Sequence, residues 1–149
     1  MNYHRILIIS SECLSNTSSN GRTLRNFLIG WPKECIAQFY IKSAEPDYEI
    51  CENYFHVSDR QAMKAFLGKK IKVSSGNRIE INAENNLNGN NSKKRNALTM
   101  LAREIIWTSR RWKGTGFDEW IDKYDPELIL LQAGDNGFTM DLARSVSED

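Results

Sequence analysis

Apolar and polar residues follow one another along this chain in blocks that switch between two periods. Ile6-Leu7-Ile8-Ile9 is a continuous apolar run, the pattern of a strand buried on both faces of a parallel sheet, and it leads into Ser10-Ser11-Glu12-Cys13. After a polar loop from Ser15 to Gly21, Leu24, Phe27, Leu28 and Trp31 recur at i, i+3, i+4 and i+7. That spacing predicts a helix beginning around Arg22-Thr23 and ending at Gly30-Trp31-Pro32, because proline disfavours helical geometry in the residue before it. Ile36 to Ile41 reads as a second strand and Tyr54 to Val57 as a short third one. Ser58 with Gln61 three residues on is a capping box, and Ala62, Met63, Phe66 and Leu67 form the stripe of the helix it opens.

The order β-α-β-β-α opens an alternating α/β layer fold. Residues 69–96 break it as a polar insertion rich in Asn, Lys, Ser and Gly. Alternation at Ile71 and Val73, and again at Ile79 and Ile81, permits a small hairpin turning at Ser74 to Asn77, and Asn85 to Asn91 reads as a mobile tail. Ala97, Leu98, Leu101, Ala102, Ile105, Ile106 and Trp112 then predict one long helix with a wide apolar face, ended by Gly114. Thr115-x-x-Asp118 reads as the cap of a short helix, and Glu127 to Gln132 as another buried strand. Gly134-Asp135-Asn136-Gly137 repeats the strand, small-residue loop, helix arrangement before a last helix through Leu142, Ala143 and Val146. The predicted fold is α/β and Rossmann-like, a mostly parallel sheet with helices on both faces.

Charge narrows the function classes. Lys and Arg number 20 against 19 Asp and Glu, which argues against a general nucleic-acid binder. Three widely spaced cysteines and two histidines give neither a disulfide framework nor a zinc-ligand pattern, so reduced thiols, a cytoplasmic location, no metal and no cofactor are expected. No apolar run approaches the roughly 20 residues of a membrane span.

The run R-I-L-I-I-S-S-E-x-L, followed by S-N-G-R-T-L-R and G-W-P-K-E-x-I-A-Q-F-Y, resembles the N-terminus of bacterial glycosyltransferases of the GT-B type. W-I-x-K-Y-D-P-E-L-I-L-L-Q and G-D-N-G-F extend the resemblance to most of the chain outside 69–96. It implies the N-terminal half of a two-domain enzyme, hence a fragment of a longer polypeptide, inactive alone. Such an enzyme moves a sugar from a nucleotide-sugar donor to a glycan or lipid-linked acceptor, with this half on the acceptor side.

Candidate ligand residues follow from two strand–loop–helix junctions. At the first, Asn20, Gly21, Arg22 and Thr23 would offer backbone amides and a guanidinium to an anion; the resemblance implies that this anion is the departing donor diphosphate, where preorganised N–H donors stabilise developing charge. Turn and cap roles for Gly21 and Thr23 are the plainer alternative. At the second, Gly134, Asp135 and Asn136 follow a strand at its carboxyl end, and Asp135 could orient an acceptor hydroxyl, act as a base or simply cap the helix. His56 reads as a satisfied core histidine. Arg103, Arg110, Arg111 and Lys113, interleaved with Trp107 and Trp112, could make a peripheral contact with anionic lipid headgroups or a lipid-diphosphate acceptor, or form the solvated face of a packed helix. The competing class is a stand-alone flavodoxin-like domain that takes a phosphate-bearing ligand or a protein partner at the same strand ends.

Overall fold

A computed structural model describes residues 3–76, 97–134 and 136–148. In chain order it contains β1 (Ile6–Ser10), α1 (Ser19–Phe27), β2 (Ile36–Tyr40), β3 (Asn53–His56), α2 (Asp59–Phe66), β4 (Ser74–Gly76), α3 (Ala97–Thr108), α4 (Phe117–Tyr124), β5 (Leu128–Leu131) and α5 (Gly137–Glu148). The strands form one sheet in the order β4-β3-β2-β1-β5. All neighbours pair in parallel except β3 and β4, so the sheet is mostly parallel, as predicted.

Helices cover both faces. Ile6, Ile8, Ile36 and Tyr40 point to one side and pack with Leu24 and Leu28 of α1, Leu14 and Cys51. Leu7, Ile9, Ala37, Phe39 and Phe55 point to the other and meet Ala62 and Ala65 of α2, Trp107 of α3, Phe117 of α4 and Phe138 of α5. Phe39 is the centre of an aromatic cluster, with Trp112 stacked at 5.2 Å and Phe117 edge-on at 5.5 Å. Strand order settles the competing architecture. A flavodoxin-like sheet puts its second strand at an edge, whereas β2 here lies between β1 and β3 and the chain returns to the far side of β1, the order of a Rossmann half.

Several elements depart from the sequence pattern. α1 starts at Ser19, because Ser18 caps it, and Phe27 on the expected stripe is exposed. Ser74 to Gly76, read as a turn, is itself a strand antiparallel to β3; the expected partner segment around Ile79 and Ile81 and the tail at Asn85 to Asn91 lie outside the described residues. α3 stops at Thr108 rather than at Gly114, since Arg110 takes a left-handed conformation (φ 56°) and residues Arg111–Thr115 form a 3-10 turn. Most of the apolar face expected on that helix is exposed, and Ile106 and Trp107 alone are buried in it. Thr115 does not cap α4: Gly116, at φ 97°, occupies the cap, and the Thr115 hydroxyl donates to the Trp112 carbonyl. Among the described residues β5 is an edge strand with Leu128 and Leu130 exposed, so it is not buried on both faces. The capping box at Ser58 and Gln61 is present as read.

Candidate functional site

The chain reverses its direction of winding at β1: β2 follows on one side, and β5 pairs on the other. At such a switch point the loops leaving the two strands diverge and open a crevice beyond their carboxyl ends. Here that crevice is a cleft of about 590 Å³. Ser11 and Glu12 line it after β1, Lys42 after β2, Asp59 at the start of α2, Gln132, Gly134 and Asn136 after β5, and Arg103 and Glu104 from α3.

A buried glutamine holds the turn after β1 beneath the cleft wall. Gln38 lies in the middle of β2, an otherwise apolar strand, and its side-chain amide donates to Ser10 Oγ at 2.7 Å and to the Glu12 carbonyl at 3.0 Å. Its Oε1 accepts from the Leu14 amide at 2.8 Å. The turn after β1 is therefore held by one side chain, and the Ser11 carbonyl accepts from the Lys42 amide at 2.8 Å, joining that turn to the one after β2. Across this link the Lys42 ammonium sits 2.7 Å from Glu12 Oε1. That contact, with a hydrogen bond from Ser18, holds the Glu12 carboxyl below its usual range.

The opposite wall is built around Arg103. Its Nε donates to Asp59 Oδ1 at 2.8 Å, another of its N–H groups to Asn136 Oδ1, and its guanidinium lies 5.2 Å from the centre of the Phe138 ring. The Trp107 indole N–H donates to the same Asp59 oxygen at 2.7 Å, and Asn136 Nδ2 donates onward to Ser11 Oγ at 3.1 Å. A chain of hydrogen bonds thus runs from α2 through α3 to the loops after β5 and β1. Glu104 stands beside it, with Oε1 only 2.8 Å from where a Cβ on Gly137 would be, against the first turn of α5. The positive end of a helix favours a carboxylate there. Among the described residues Glu104 has no ion-pair partner, while Glu12, Asp59, Lys42 and Arg103 are all paired.

Three of the residues expected from sequence come together at this cleft: Asn20, Gly134 and Asn136. Asp135 lies outside the described residues. Gly21 is buried inside the first turn of α1, with its amide donating to Ser18 Oγ at 3.0 Å. A Cβ on it would meet the Cys13 carbonyl at 2.5 Å and two serine hydroxyls at 2.8 Å, so the missing side chain admits the Cys13–Ser15 turn rather than a ligand. The Arg22 amide donates to the Ser18 carbonyl and the Arg22 guanidinium to the Asn16 carbonyl, both at 3.0 Å; the Thr23 hydroxyl donates to the Ser19 carbonyl at 3.1 Å. These donors are already used within α1 and its approach.

Other candidates resolve as structural. His56 is buried, its Nε2 donating to the Ile41 carbonyl at 3.1 Å, and burial lowers its pKa. Burial pushes the Cys13 thiol up to about 11 and Cys51 to about 12, which leaves both protonated and unreactive at neutral pH. Trp107 and Trp112 are core residues, and Lys113 pairs with Asp118 at 3.2 Å, so the interleaved basic set does not form one surface with the tryptophans. Among the described residues no three His, Cys, Asp or Glu side chains converge as metal ligands, and no helix is long and apolar enough to cross a membrane. Sequence reasoning missed Glu12, Lys42, Asp59, Glu104 and Gln132 as cleft residues. One signal was legible, the polar Gln38 in the middle of an apolar strand. No family model matches the sequence, and no curated protein or solved structure shows significant similarity to it.

Proposed function

We propose that this chain forms the acceptor-side domain of a glycosyltransferase, which moves a sugar from a nucleotide-sugar donor to a glycan or lipid-linked acceptor. The observation that carries the reading is the chemistry of the cleft. Its cations are each neutralised by a carboxylate, and the remaining polar side chains are hydroxyls, amides and the Glu104 carboxylate. Such a lining suits the many hydroxyls of a sugar better than a diphosphate, which would need uncommitted N–H donors or cations. In glycosyl transfer an acceptor hydroxyl oxygen attacks the anomeric carbon, the bond to the diphosphate breaks, and the hydroxyl proton must leave. We assign Glu104 to accept that hydrogen bond and proton, with Asn136, Ser11 and Asn20 orienting the sugar. A second Rossmann-like half would bind most of the donor and face this cleft.

Saturation-transfer NMR on the chain with neutral oligosaccharides, and separately with a nucleoside diphosphate, tests the assignment. Transfer to an oligosaccharide is expected, with affinity reduced about tenfold or more in Glu104→Leu, because a hydrogen bond to a charged group is lost. Transfer to the nucleotide alone would overturn it in favour of a phosphate-binding domain.

A further inference from the structure

Among the described residues the cleft is lined by three carboxylates, Glu12, Asp59 and Glu104, and by two cations, Lys42 and Arg103. Two of the carboxylates are matched. The Lys42 ammonium sits 2.7 Å from Glu12, and the Arg103 guanidinium 2.8 Å from Asp59, so each pair is close to neutral. Glu104 carries the charge left over. It is half-buried on α3, against the first turn of α5 at Gly137, and forms no ion pair with any described residue. Arg103, its neighbour in sequence, is already engaged with Asp59 and Asn136. Further acceptors line the same cleft. Asp59 uses its Oδ1 for both Arg103 and Trp107, which leaves Oδ2 open, and the Gln132 side chain makes no hydrogen bond among the described residues.

We propose that the acceptor held in this cleft is an amino sugar with an unsubstituted amine, whose ammonium group pairs with Glu104. The inference rests on the sugar-binding reading given above and adds a charge to it. Three features favour an ammonium. A cleft with one carboxylate in excess attracts a single positive charge and repels an anionic sugar. The described lining holds no aromatic ring, so a neutral sugar has no ring face to stack on and a charge pair supplies the anchor. An ammonium brings three N–H donors and no acceptor, which suits a lining whose open groups are carboxylate and amide oxygens. The pairing also fits the role assigned to Glu104 in transfer. In a hexosamine the amine and a hydroxyl lie on neighbouring carbons, so one carboxylate oxygen takes the ammonium while the other faces the hydroxyl that attacks.

Calorimetric titration of the chain with a glucosamine trimer, its N-acetylated counterpart and cellotriose, at mildly acidic pH where the amine is protonated, tests it. The glucosamine trimer is expected to bind about tenfold or more tighter than either neutral trimer, because it adds a hydrogen bond between two charged groups. That preference should shrink as salt is added. Glu104→Gln, checked by circular dichroism to be folded, should bring the three trimers to within about threefold of one another. Equal binding of all three trimers to the unaltered chain would overturn the proposal and leave the sugar-binding reading standing. Failure of every trimer to bind would overturn both. A preference that Glu104→Gln leaves intact would place the ammonium elsewhere and overturn the pairing. Spermidine binding as tightly as the glucosamine trimer would reduce the effect to a general attraction for cations and overturn it too.

Discussion

The two strand–loop–helix junctions of this protein, β1 to α1 and β5 to α5, look alike in sequence and differ in what their glycines are for. At the first, Gly21 lies under the Cys13–Ser15 turn, and its amide is spent on the Ser18 cap. At the second, a Cβ on Gly134 would meet nothing within 4 Å, and the loop lines an open cleft. A glycine after an apolar strand therefore has two physical meanings, close packing of the chain on itself or room for a ligand. The free space around its absent Cβ separates them.

Valine substitution breaks the comparison most directly. Gly21→Val should destabilise the fold by about 3 kcal/mol or more, because its Cβ would collide with backbone as well as with side chains, a cost typical of overpacking. Gly134→Val should change stability by no more than about 0.5 kcal/mol, as at an open surface position. Urea unfolding of the two variants measures both. Similar losses at the two positions would erase the distinction.

Gln38 sharpens the contrast at the next level. Gln38→Leu fills the same space but strands the Leu14 amide and releases the Glu12 carbonyl, and it should cost about 1–3 kcal/mol in the same assay. The Glu12 and Ser11 wall should loosen with it, read as faster amide exchange at the β1 turn than at the β5 turn.

These two cases also mark how far the sequence could be read. Strand runs, the parallel sheet, the two helical faces and the Ser58 capping box follow from local periodicity, which a buried strand or an amphipathic helix must display. The role of Gly21 did not, because its neighbours Cys13 and Ser15 reach it through a turn whose path is set by Gln38, a residue on another strand. Glu104 and Arg103 were hidden for a similar reason. They sit on a helix whose pattern suggested a broad packed face, and their place in the cleft depends on α5 and α2 meeting α3 in space. The expected burial of β5 failed because an apolar run has the same composition at a sheet's edge as at its centre.

Acidity separates the buried end of β3 from the cleft. Burial holds His56 neutral in the folded chain, whereas the unfolded chain takes up a proton near the ordinary value of about 6.5. Stability should therefore fall as pH drops below that value and level off once the folded pKa is passed. His56→Gln should remove this limb from a plot of unfolding midpoint against pH.

A small effect is expected at the cleft pair. Glu12 has a depressed folded pKa, so its contribution is present above the ordinary carboxylate value of about 4.5 and is lost as pH falls through the folded one. Lys42→Met should flatten that acid limb and cost less than about 1 kcal/mol at neutral pH, since the ammonium is largely exposed. An unchanged acid limb would mean that the pair contributes no stability.

The proposed function puts the ligand-facing part of this chain at the cleft over β1 and β5, and not at the amides of the first helical turn. Amide and side-chain NMR shifts during titration with a neutral oligosaccharide test it most directly. The largest changes are expected at Ser11, Arg103, Glu104, Gln132 and Asn136, with Gly21, Arg22 and Thr23 nearly still. Shifts centred on Gly21 to Thr23, with the cleft residues unmoved, would contradict it.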